Sequence, residues 1–179
     1  MDSENREAVL ASWRVDEVVD RRRHAARERE LLAAELRLDE LWSTWAATGV
    51  EVVLHTEAGR EHHGRVVGVG ADFVAVEPVT GPIVAVRTAA VTSVSTAELA
   101  LSGAAVAGSA TTLGELAREL ADRQVDATLV SSTGLSIRGR IEAVGFDAVV
   151  VRDTGGRRTY LRVDALSELS SMSMTSSSW

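Results

Sequence analysis

Arg158, Tyr160 and Arg162 alternate along one stretch of the chain, and Arg138 and Arg140 alternate along another. In an extended strand alternate residues share a face, so each set presents its guanidinium groups together. Arg152 and Arg157 flank the turn that precedes Arg158. A guanidinium fork matches phosphate oxygens, and a ring between two of them offers a surface for a stacked base. The pattern therefore suits RNA or another nucleic acid. A solvated outer face whose arginines pair with Asp147, Asp153 or Glu142 fits it better. Salt separates the two: five arginines on single-stranded RNA give log affinity a slope of about −3.5 against log salt.

Other chemistry is sparse. His55 and His63 become cross-strand neighbours in a hairpin that pairs Leu54 with Gly64, but no third metal ligand has a suitable spacing. Gly68-Val69-Gly70 lacks the third glycine and the following helix of a dinucleotide site. No nucleophile–base constellation or phosphate loop is evident, so neither catalysis nor a cofactor is expected. The run Arg21-Arg22-Arg23 has acids on both sides and reads as a solvated helix face. Trp13 has no local core to join and is a candidate partner contact, whereas Trp42 and Trp45 are placed to pack a helix on the strands that begin near Val50.

Composition bounds the partners. All 19 basic residues of the 179 are arginine, against 26 acids, for a net charge of −7. That balance argues against general attraction to nucleic acid. The charge is uneven: residues 1–47 hold 11 acids and 8 arginines, whereas residues 124–179 hold 6 of each. There is no cysteine, which excludes disulfides and thiolate metal sites. No apolar run approaches the roughly 18 residues that span a bilayer, and Met1-Asp2-Ser3-Glu4 lacks a signal core. A cytoplasmic, non-membrane protein is the expectation.

The elements that must position these residues are repeated. Residues 37–95 recur at 112–170 with a constant offset of 75. Gly59, Gly64, Arg65, Asp72, Gly81, Arg87 and Ser95 return as Gly134, Gly139, Arg140, Asp147, Gly156, Arg162 and Ser170. Such self-similarity means one unit built twice. Residues 4–47 contain no Pro or Gly and read as helical. The first repeat then shows strands near 50–55, 61–70, 73–77, 83–87 and 91–95, and the second near 125–131, 135–144, 148–152, 157–163 and 166–170. Thr112 and Glu115 make a capping box that starts the second lead-in helix. Residues 101–110 have small-residue linker composition, and the Ser-rich tail at 171–179 is expected to be disordered.

A helix followed by five short bent strands, with glycines at these spacings, resembles the Sm-like small barrel of Sm, LSm and bacterial Hfq-type RNA-binding proteins. The resemblance rests on Val52-Val53-Leu54, Gly59 through Val66, Gly81 and Ala90 through Val94. In the second repeat it rests on Leu129 through Gly134, Gly139-Arg140-Ile141, Gly156 and Ala165 through Leu169. SH3-like barrels share much of the pattern. Where Hfq-type proteins carry a Tyr-Lys-His stretch, this chain has Arg87-Thr88-Ala89 and Arg162-Val163-Asp164, and its only asparagine is Asn5. The family's base pocket is therefore not carried over.

The resemblance implies a mostly β, α+β chain of two tandem five-stranded barrels, each preceded by a helix. The layout is a helical segment at 1–47, a barrel at 48–96, a linker and helix at 97–123, a barrel at 124–170 and the tail. Barrels of this family pair edge to edge, fourth strand on fifth, so the two repeats are expected to pair and further chains to add. The functional expectation is non-catalytic binding of RNA through Arg138, Arg140, Arg158, Tyr160 and Arg162. The alternative is an interaction adaptor using strand edges and the acidic N-terminal helix.

Overall fold

A computed structural model describes residues 37–97 and 108–175. The first repeat contains α1 (Leu38–Thr48), β1 (Glu51–Thr56), β2 (Glu61–Val69), β3 (Phe73–Pro78), β4 (Val84–Arg87) and β5 (Val91–Ser95), with a 3-10 turn at Thr88–Ala90. The second contains α2 (Leu113–Asp122), β6 (Asp126–Ser131), β7 (Ser136–Val144), β8 (Ala148–Arg152), β9 (Arg158–Arg162) and β10 (Leu166–Ser170). The start of α2 is fixed by its capping box: the Thr112 hydroxyl accepts from the Glu115 amide while the Glu115 carboxylate accepts from the Thr112 amide.

The ten strands form one antiparallel sheet in the order β5-β1-β2-β3-β4-β10-β6-β7-β8-β9. This overturns the expectation of two separate five-stranded barrels: the sheet is continuous, and among the described residues its end strands, β5 and β9, have no further strand beside them. The fourth-on-fifth pairing is present, since β4 pairs with β10 through Val86–Glu168, Ala85–Leu169 and Val84–Ser170. It fuses the repeats instead of joining two finished units. The expected helical segment at 1–47 is described only from Arg37, with α1 as its helix; residues 1–36, with Trp13, lie outside the described residues.

The reason for the fusion is burial on both faces of β3 and β4. Val74, Val76 and Val86 join Trp42, Trp45, Val52, Leu54 and Val66 in the core of the first repeat. The opposite-facing Phe73, Ala75, Ile83 and Ala85 join Leu113, Leu116, Leu120, Leu129 and Leu169 in the core of the second. Phe73 and Ala75 are fully buried there. A finished barrel would have left that second face to water, at roughly 25 cal/mol for each Å² of apolar surface kept exposed.

Gly64 and Gly139 sit at matching places, where a Cβ would collide with the carbonyl oxygen of Glu77 or of Arg152 on the adjacent strand. These close approaches let β2 and β7 bend. The tail is not wholly unpacked: the Ser171 hydroxyl donates to the Asp126 carbonyl at 2.8 Å, and Met174 is buried in the second core.

Candidate functional site

Strand register brings the predicted arginines together. Arg140 lies opposite Arg152 and Arg152 opposite Arg158, so three guanidiniums form one row across β7, β8 and β9. Tyr160 follows opposite Val150, and Arg162 opposite Ala148. Arg138, Arg140, Arg158, Tyr160 and Arg162 therefore share one solvent-facing side of the sheet. Tyr160 is 69% exposed.

That side is not a free cationic surface. Glu142 lies two residues beyond Arg140 and so on the same face, where it takes Arg158 Nε at 2.5 Å and Arg152 at 3.1 Å. The hydrogen bond from Arg158 holds the Glu142 carboxyl below its usual range and raises the Arg158 guanidinium in turn. Arg162 is clasped by Asp164, Arg157 by Asp153, and Arg140 lies 3.8 Å from Asp126. Arg138 alone of the five predicted residues has neither an aromatic body nor a carboxylate partner among the described residues. It lines a groove of about 620 Å³ with Arg140, Thr128 and Ser170 through Ser173.

The expected histidine pairing is two residues out of register. Leu54 pairs with His62, and Gly64 pairs with Val52. His63 instead contacts Glu61 at the surface. His62 points inward to Glu168, which pattern reading passed over because a lone acid in a short strand is ordinarily solvated. Glu168 is 1% exposed. Its Oε1 accepts from the Thr56 hydroxyl at 2.9 Å. Its Oε2 lies 2.9 Å from Arg60 Nε and 3.1 Å from His62 Nε2, ion-pair distances without hydrogen-bond alignment. Burial pushes the carboxyl up, but His62, Thr56 and Arg60 together outweigh it and hold Glu168 below its usual range.

Glu168 stands on β10 and its three partners on the β1–β2 hairpin, so this buried cluster joins the two repeats. A second clasp crosses the same seam. Arg87 donates to the carbonyls of Leu166 at 2.8 Å and Val163 at 3.0 Å, and pairs with Asp72 at 2.6 Å. The other Asp72 oxygen accepts the Leu113 amide at the start of α2.

Neither a protein-family model nor a curated protein sequence matches the chain. The functional reading therefore rests on geometry. Two surfaces carry it: the neutralised arginine side of β7–β9 and the pair of open edges, β5 and β9. No helix among the described residues is long and apolar enough to cross a membrane.

Proposed function

We propose that this chain is a non-catalytic interaction scaffold that docks protein partners along its open strands, β5 and β9. The observation that supports this is the seam itself, where a strand of one repeat completes the sheet of the other. An open antiparallel edge offers unpaired amides and carbonyls to any extended segment. The acidic balance of the chain and the local carboxylate partners of Arg158, Arg162 and Arg140 favour this reading over a phosphate ligand. A cytoplasmic setting belongs to the same proposal.

Binding of RNA across the arginine side is the second reading, and Arg138 with its adjoining groove is what favours it. One pair of experiments separates them. Residue-resolved cross-linking in cell extract is expected to place protein contacts on β5 or β9. Titration with mixed RNA is expected to give no binding that weakens with salt. Salt-sensitive binding lost in Arg158→Ala with Arg162→Ala, and kept in Arg87→Ala, would replace the scaffold reading with the RNA one.

A further inference from the structure

The two repeats carry matching grooves that differ in chemistry. In the second repeat the groove of about 620 Å³ runs over Arg138, Thr128 and Ser170. In the first, a groove of about 380 Å³ runs over the matching His63, Val53 and Ser95. There His63 is held by Glu61, and Val53 brings an apolar side chain. Pro82, from the first repeat, lines the larger groove just before β4, so that groove is built across the seam.

Strand register sets the donors of the larger groove in a row. Arg138 lies opposite Thr128 on β6, and Thr128 opposite Ser170 on β10. Directly opposed residues project to one face of an antiparallel sheet, so a guanidinium and two hydroxyls stand side by side. Among the described residues none of these three side chains has a hydrogen-bond or ion-pair partner. The neighbouring Arg140 lies 3.8 Å from Asp126, which leaves Arg138 as the uncompensated charge of the groove.

These properties define a ligand. One free positive charge, beside the neutral pair of Arg140 and Asp126, matches a single negative charge. A planar guanidinium fork takes both oxygens of a carboxylate, and the Thr128 and Ser170 hydroxyls can donate to the lone pairs that remain. Pro82 and Met172 add an apolar wall beside the row. Met172 is 82% exposed, so the groove is open to solvent on that side. A small organic acid binds where most of its surface is enclosed, whereas an extended protein segment needs only one side covered.

Taking from the scaffold reading only that the partner is a protein, we propose that this groove binds an acidic segment of that partner. A Glu or Asp side chain lies on Arg138, Thr128 and Ser170, and an apolar side chain two positions along lies against Pro82 and Met172. Residues two apart in an extended segment face the same way. The site is separate from β5 and β9, and the first repeat, with Val53 and His63 in place, does not duplicate it.

The probe is a rhodamine-labelled peptide, Ser-Glu-Ser-Leu-Ser with blocked ends, titrated with the full-length chain and read by fluorescence anisotropy. Saturable binding is expected, weakened about tenfold when Gln replaces Glu in the peptide. Arg138→Ala should weaken it about tenfold as well, Thr128→Val with Ser170→Ala by less, and Arg158→Ala not at all. Arg138→Lys keeps the charge without the fork and should fall between. Amide resonances of Thr128 and Ser170 should shift during the titration, and those of Val53 and Ser95 should not. Absence of saturable binding, equal affinity for the Gln peptide, or indifference to Arg138→Ala overturns the inference. Tighter binding of phosphoserine in place of Glu, or displacement by mixed RNA, overturns it too, because the ligand would then be a phosphate. Cross-links at β5 and β9 test the scaffold reading separately: if they persist while the peptide fails, only the groove inference falls.

Discussion

The outer faces of the two repeats share a backbone and have opposite fates. In the first, Phe73, Ala75, Ile83 and Ala85 are buried, with Val67 packed beside them. In the second, the matching positions are Ala148, Val150, Arg158, Tyr160 and Glu142. An apolar pair, Val67 with Ile83, has become an ion pair, Glu142 with Arg158. The first face welds to a neighbour and the second stays in water. Side-chain substitution on one strand pair, with no change of topology, decides which face becomes interior.

The contrast is sharpest at Phe73. Phe73→Ala is expected to cost about 4 kcal/mol through lost burial and a cavity between the repeats, whereas Tyr160→Ala should stay within about 0.5 kcal/mol. Urea unfolding of both variants measures this, and equal losses would mean that the second face is covered as well.

Glu168→Ala comes next. Its counterpart is Ser93, and the first repeat's Thr56, Arg60 and His62 correspond to Ser131, Leu135 and Ile137. Only the seam therefore holds this polar cluster. Removing the carboxylate leaves His62 buried without its partner and should cost about 3 kcal/mol. The pH dependence has a definite sign. Because the folded carboxyl titrates below its unfolded value, its contribution is complete above the ordinary carboxylate range and is lost as pH falls through the folded value. Glu168→Gln should remove that part of the acid sensitivity, read as a flatter stability profile on the acid side.

Arg87 and Arg162 make a third comparison. Arg87→Ala severs two bonds to carbonyls across the seam and should cost about 2 kcal/mol. Arg162→Ala opens only a surface clasp with Asp164, worth less than about 1 kcal/mol. A local effect falls between these two: Thr112→Ala removes half of the capping box and should cost about 1 kcal/mol without altering the sheet. Thermal unfolding orders the three.

Much of this was legible because it is local or repeated. The offset of 75 residues located every strand to within a residue or so, and Thr112 with Glu115 announced the start of α2. The fusion had a signal too: Phe73-Val74-Ala75-Val76 is a continuous apolar run, the pattern of a strand covered on both faces. Read only as a barrel strand, it concealed the shared core. The arginine pattern gave the shared face, and the solvated alternative named Glu142 and Asp153 among its partners; the pairing of Arg162 with Asp164 and of Arg140 with Asp126 was not among them. Glu168 was hidden for a different reason: its partners lie more than a hundred residues away, and spacing along the chain carries no trace of them.

β10 occupies the middle of the sheet yet is the last of the ten strands to be translated. Until it emerges, a nascent chain exposes the apolar side of β3 and the unpaired flank of β4 together. That interval is the period of greatest aggregation risk during biosynthesis, and any delay in elongation before Leu166 prolongs it.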